Sequence, residues 1–110
     1  MRVHLIKERT IDAYARSEGK SGGVFYTWLG TVKQADWEKT NDIKYTFGTT
    51  DLLGKGSNRV CFDIGGNNYR MICKIAFGKK KCHMFVCWIG THKEYDDICA
   101  KNEQYKVNLF

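Results

Sequence analysis

The segment Gly90-Thr91-His92-Lys93-Glu94-Tyr95-Asp96-Asp97 sets an imidazole, an ammonium and a phenol within four consecutive positions. Groups with those titration ranges move protons on and off a phosphate ester near neutral pH. Cleavage of RNA by its own 2′-hydroxyl needs a base for that hydroxyl, an acid for the departing 5′-oxygen and positive charge beside the phosphate. His92 suits either proton-transfer task. Tyr95 suits the other, and its ordinary pKa near ~10 makes it a better acid than base. Arg70 is the best stabiliser, because a planar guanidinium fork grips phosphate in two places; Lys93 or Lys74 adds a point charge. On spacing alone, a solvated helix start with Tyr95 packed on a sheet remains the stronger reading.

The elements that must position these groups follow from the pattern. Thr91 suits the N-cap of a short helix from His92 to about Cys99, in which His92 and Tyr95 share a face and Asp96 lies four residues beyond His92. Upstream, Arg59–Ile64, Tyr69–Phe77 and Cys82–Ile89 are strand-like runs. Gly65-Gly66-Asn67-Asn68 and Gly78-Lys79-Lys80-Lys81 separate them, which predicts tight hairpins and an antiparallel meander. Pairing Ile64 with Tyr69 sets Phe62 against Met71 and Val60 against Cys73. Pairing Phe77 with Cys82 sets Ile75 against Met84, Cys73 against Val86 and Met71 against Trp88. All of these share one apolar face, which a one-residue slip would scramble. The other face carries Arg59 beside Lys74 and Asp63 beside Arg70, with Ile89 next to Arg70, and is completed by Cys61, Ile72, His83, Phe85 and Cys87. Cations among apolar groups suit a phosphate backbone and an unstacked base, whereas Asp63 and Arg70 taken alone read as an ordinary cross-strand ion pair.

Nearer the N-terminus, residues 2–6 alternate as a short strand, and a helix is expected from Lys7 to about Ser17, broken by Glu18-Gly19-Lys20. After Ser21, Val24/Phe25, Trp28/Leu29, Val32 and Ala35/Asp36 recur at helical period to about Lys39. Trp28 and Trp37 are therefore expected to pack inside rather than stack on bases. Residues 40–57 read as a long loop.

At 110 residues the chain is one domain, residues 1–110, with a formal charge of +6 and a pI near 9.1. That balance favours a polyanionic partner such as RNA, DNA or an acidic protein. Lys79 and Lys80, on a hairpin tip, suit non-specific contact with a nucleic-acid backbone. No run is long enough to cross a bilayer and the first residues do not resemble a signal peptide, so a cytoplasmic protein with no membrane partner is expected. The five cysteines contain no Cys-x-x-Cys and read as buried free thiols. Neither a metal nor another cofactor is expected, since no carboxylate cluster resembles a two-metal site.

The segments Trp28…Ala35-Asp36-Trp37, Asp42-Ile43-Lys44, Val60-Cys61-Phe62-Asp63-Ile64, Gly66-Asn67-Asn68-Tyr69-Arg70 and Ile89-Gly90-Thr91-His92-Lys93-Glu94-Tyr95-Asp96 together resemble the HigB toxins of bacterial toxin–antitoxin pairs. The likeness runs from about residue 20 to residue 98. It implies an α+β fold of the RelE-like superfamily: two N-terminal helices packed on a small antiparallel sheet, then a short C-terminal helix. It also implies an mRNA-cleaving toxin, often acting on transcripts engaged by the ribosome, with a HigA-type helix-turn-helix antitoxin as partner. Arg70, His92 and Tyr95 are the family residues that carry over; Arg59, Lys74, Lys93, Lys79 and Lys80 are expected RNA contacts from their charge and position alone. The expected reaction is metal-independent transesterification leaving a 2′,3′-cyclic or 3′-phosphate end. Two other classes fit the same fold. A ParE-like toxin would bind a protein target without cutting RNA, and a plain RNA-binding module would bind without cleavage. The segment from Phe47 to Asn58 and the tail after Cys99 depart from the family pattern, and the tail either adds an edge strand or stays loose.

Overall fold

Two hairpins organise the molecule. The structure is a computed structural model that describes residues 1–110. β3 (Arg59–Ile64), β4 (Tyr69–Phe77) and β5 (Lys81–Thr91) form the antiparallel meander that the turn signals predict. Both hairpins have the expected register: Ile64 pairs with Tyr69 and Val60 with Cys73, and Phe77 pairs with Cys82 and Cys73 with Val86.

The expected Met71–Trp88 pair is a correction. A bulge between Ile72 and Cys73 shifts the pairing, so that Ile72 faces Trp88, Met71 faces Ile89 and Arg70 faces Gly90 instead of Ile89. Cys87 is the extra residue on β5, and an inserted residue reverses which side the next side chains take. Trp88 consequently leaves the main core and Ile89 enters it.

The sheet is mixed, not wholly antiparallel. β1 (Arg2–Ile6) runs parallel to β5, pairing His4 with His83, while the short β2 (Asp51–Leu52) lines the far edge in the order β1-β5-β4-β3-β2. Alternation in residues 2–6 marks a strand but not its partner. A parallel pair is joined through a long crossover and leaves no turn signal.

On one sheet face lie α1 (Glu8–Ser17), a short 3-10 turn at Gly19–Gly22, α2 (Gly23–Gln34) and α3 (Thr40–Thr46). α2 stops at Gln34 rather than near Lys39, because Ala35 turns extended and Asp36 bridges to Arg2 beside the edge strand. α3 replaces the first part of the expected loop. The Asp42 carboxylate accepts from the backbone of Glu38 at 2.8 Å and of Lys39 at 3.2 Å, and Ile43 is fully buried. Burial and capping there override a composition that resembles a loop. Phe25, Trp28, Leu29 and Val32 of α2, with Trp37, enter the core that covers Val60, Phe62, Met71, Met84 and Val86. Trp28 and Trp37 are thus packing residues, as expected, and the Trp37 indole N–H donates to the Thr46 hydroxyl at 2.9 Å. Cys61, Cys73, Cys82 and Cys87 are buried free thiols; Cys99 is only half-buried.

The opposite face carries a smaller cluster of Cys61, Ile72, Cys87, Trp88 and Tyr95, closed by α4 (His92–Ala100). The tail after α4 neither adds a strand nor hangs free. Val107 packs on that cluster, and the Leu109 N–H donates to the carbonyl of the bulge residue Cys87 at 2.8 Å.

Candidate active site

β5 delivers the chain directly into α4, so the helix N-terminus stands at one end of the sheet. Thr91 caps it as expected: its hydroxyl accepts from the Glu94 backbone at 3.2 Å, and Glu94 Oε1 accepts from the Thr91 backbone at 2.8 Å. This reciprocal box satisfies two otherwise orphan donors and fixes where His92 begins. The His92 N–H also donates to the Asn68 carbonyl at 3.1 Å, tying the helix start to the β3–β4 turn.

Arg70 reaches the same turn from β4. It is 8% exposed, and its guanidinium is held on three sides. Nε–H meets Asp63 Oδ1 at 3.0 Å, Nη1 donates to the Tyr69 carbonyl at 3.0 Å and Nη2 donates to Asn67 Oδ1 at 2.9 Å. A guanidinium has five N–H groups, so one remains on each terminal nitrogen. The cross-strand pair expected for Asp63 is present, and its partial burial makes it an orienting contact rather than a loose surface pair. Asn67 was not anticipated as a partner; the available signal was an amide side chain in the turn, three residues before the arginine.

Arg70 pairs with Gly90, two residues before His92, so backbone pairing brings the two expected site residues to one end of the sheet. The His92 imidazole is partly exposed. Nε2 lies 3.7 Å from Asp96 Oδ2, and Nδ1 is buried with no hydrogen-bond partner. Nδ1 is thus closed to a ligand, and any proton exchanged with one passes through the exposed edge of the ring.

Tyr95 is placed differently. It is 9% exposed, with its ring 6.2 Å from that of Trp88. Burial, then the Cys61 and Cys99 thiols, push its phenol far above the ordinary tyrosine value. Burial likewise pushes the Cys61 thiol up to about 12. A phenol so placed stays protonated throughout the physiological range.

The expected RNA contacts divide into groups. Lys74 and Lys93 are exposed, Lys74 on the Arg70 face of β4 and Lys93 beside His92. Arg59 faces Lys74 but is occupied: Nη1 donates to the carbonyls of Gln104 at 3.3 Å and Val107 at 2.6 Å, clasping the tail. Lys79 and Lys80 stand on the β4–β5 turn, at the other end of β4 from Arg70. Strand β4 runs on from Arg70 to Phe77 before that turn, roughly 23 Å.

A mixed five-stranded sheet with helices on both faces, and with His92 and Arg70 at one sheet end, is set beside the small toxins of toxin–antitoxin systems by a family match. The family model described as "HigB_toxin, RelE-like toxic component of a toxin-antitoxin system" matches residues 23–98, and the chain belongs to that family. It is 26% identical over 96 residues to the mRNA interferase HigB of Escherichia coli O6:H1, covering 87% of this chain and 91% of that relative. It is 24% identical over 98 residues to the mRNA interferase toxin HigB of Escherichia coli K12, covering 89% and 92%. The mRNA interferase HigB of Shigella flexneri matches to the same extent.

Proposed function

We propose that this toxin is an endoribonuclease that cuts mRNA by intramolecular transesterification, with Arg70 as phosphate clamp and His92 as proton carrier. The observation that carries the reading is one sheet end holding both the partly exposed His92 imidazole, at a capped helix start, and Arg70, locked with one N–H free on each terminal nitrogen. Two N–H groups on one rigid fork suit the two non-bridging oxygens of a phosphodiester.

In the reaction, O2′ attacks phosphorus while the imidazole takes the 2′-hydroxyl proton. The P–O5′ bond breaks, O5′ takes a proton from water at the exposed edge of His92, that water recovers its proton from the imidazolium, and a neutral ring and a 2′,3′-cyclic phosphate remain. Arg70 stabilises the extra negative charge of the five-coordinate phosphorus. Tyr95, expected from sequence as the second proton carrier, takes another role in this scheme. Its sealed, strongly protonated phenol is unfit as a base, and packing against Trp88 makes it the anchor that seats α4. Lys93 and Lys74 draw in the RNA backbone.

The substrate is mRNA engaged by the ribosome and the partner is a HigA-type helix-turn-helix antitoxin; the toxin–antitoxin family supports an antitoxin partner, and the relatives named mRNA interferases support mRNA as substrate. The toxin works in the cytoplasm, and no helix is long and apolar enough to cross a membrane. The test is primer extension on transcripts from cells expressing the protein, and on RNA treated with purified protein and translating ribosomes in excess chelator. New 5′ ends with the wild type, lost with folded His92→Ala and retained with Tyr95→Phe, are expected. Growth arrest that persists with folded His92→Ala refutes the assignment.

A further inference from the structure

We infer that the hollow under the C-terminal tail is a second nucleotide subsite, taking an unpaired base and its flanking phosphate from the RNA strand that reaches Arg70. This rests on the RNA-cleaving reading above. The hollow has a volume of about 420 Å³, and its lining includes Lys7, Arg59, Lys74, Phe85, Asn108 and Phe110. Every charged side chain lining it is a cation.

Phe85 is the unusual member. It sits on β5 directly opposite Lys74 and is 39% exposed, while Phe110 at the end of the tail is 44% exposed. A phenyl ring left open on a sheet beside an ammonium does little for stability, but together they match a nucleotide's flat base and its phosphate. An acidic partner would use the cations without needing the rings, and an apolar peptide would leave the Lys7 and Lys74 charges unanswered. The fit to both features selects single-stranded RNA.

The position agrees. Arg70 and Lys74 lie four residues apart on β4 and share a sheet face, a separation of about 13 Å. Ile72 between them lies under the cluster that α4 and Val107 close, so RNA that meets both passes over that cover rather than along the bare strand. Arg59 shapes the wall rather than the floor: by gripping the Gln104 and Val107 carbonyls it holds the tail in place, and with it Asn108 and Phe110.

The probe is a fluorescein-labelled single-stranded RNA of mixed sequence, followed by anisotropy with a His92→Ala protein that binds without cutting. In that background Phe85→Ala is expected to weaken binding about tenfold or more, and Phe85→Trp to restore it. Lys74→Ala is expected to lower the slope of log affinity against log salt by about one. Thermal melting of each variant verifies folding. Binding by Phe85→Ala within twofold of its parent, or no rescue by Phe85→Trp, overturns the subsite. So does a Phe85→Ala protein that keeps RNA affinity but loses the antitoxin, which makes the hollow a protein-docking face. If the otherwise wild-type protein cuts RNA while Phe85→Ala cuts and binds equally well, only the subsite falls. If the wild type never cuts RNA, the nuclease reading falls first.

Discussion

Gly90→Ala tests how the active end of the molecule is built. Gly90 faces Arg70 across the strand pair, and the Trp88 indole lies over it. A methyl group there would sit 2.5 Å from Cη2 of Trp88, closer still to Cζ2, and 3.1 Å from Glu94 Oε1. Gly90 does not occupy the left-handed region, so backbone strain does not confuse the result. Ordinary contact begins near 3.4 Å, so the indole must retreat by about 1 Å. Trp88 is only 6% exposed and is wedged against Tyr95, so it has little room to move. Overpacking of this kind costs about 1–3 kcal/mol, which lowers the melting temperature of a domain this size by roughly 8 °C at the middle of the range. Urea unfolding followed by circular dichroism, in a His92→Ala background that spares the host, measures it. Trp88→Leu introduced alongside is expected to absorb the added methyl, giving a favourable coupling of about 1–2 kcal/mol in a double-mutant cycle. A single variant within about 0.5 kcal/mol of its parent, or strict additivity with Trp88→Leu, refutes the reasoning.

Thr91→Ala removes the hydroxyl that caps α4 and is expected to cost about 1 kcal/mol in urea unfolding, while weakening cleavage because His92 loses its fixed start; Thr91→Ser is expected to restore both. Asp63→Ala leaves the Arg70 guanidinium with Asn67 and one carbonyl only, and is expected to cost about 1–3 kcal/mol, with RNA cleavage falling more than RNA binding; equal cleavage by the variant counts against an oriented clamp. Stability is expected to fall as pH rises from about 9 toward 12. Burial raises Tyr14 to about 12, Cys82 to about 11 and Cys61 to about 12. The folded form thus holds protons that the unfolded chain has already released, and the stabilisation is fully present below the unfolded values and lost through the folded ones. Urea midpoints at pH 8 and pH 11 check it, and an unchanged midpoint rejects it.

The meander was legible because each of its two hairpins carries a turn sequence and an alternating pattern, and both place Cys73 on the same face. The bulge was not. Cys82, Met84, Val86 and Trp88 alternate without a break, and the one hint, a glycine at 90 with room for an indole, concerns a distance that sequence does not encode. β1 was visible as a strand, but its partner lies some 80 residues away, beyond any local signal. Arg70 and His92 were readable from residue type and from the register that brings their strands together. The burial of Tyr95 was not, since helical spacing says which residues share a flank and not how hard that flank is pressed onto the sheet. Arg59 looked free for the same reason: the tail that clasps it has no regular pattern.

β1 pairs with β5 at a separation of 79 residues. During synthesis the opening segment has no berth until β5 clears the ribosome. At ordinary elongation rates that wait is roughly 4–16 s. Loop closure over such a span is slow and entropically costly, so the sheet closes only as the segment bearing His92 emerges. A chain interrupted before β5 therefore lacks both its sheet partner and its reactive imidazole, so the ribosome making this poison is spared until both are made.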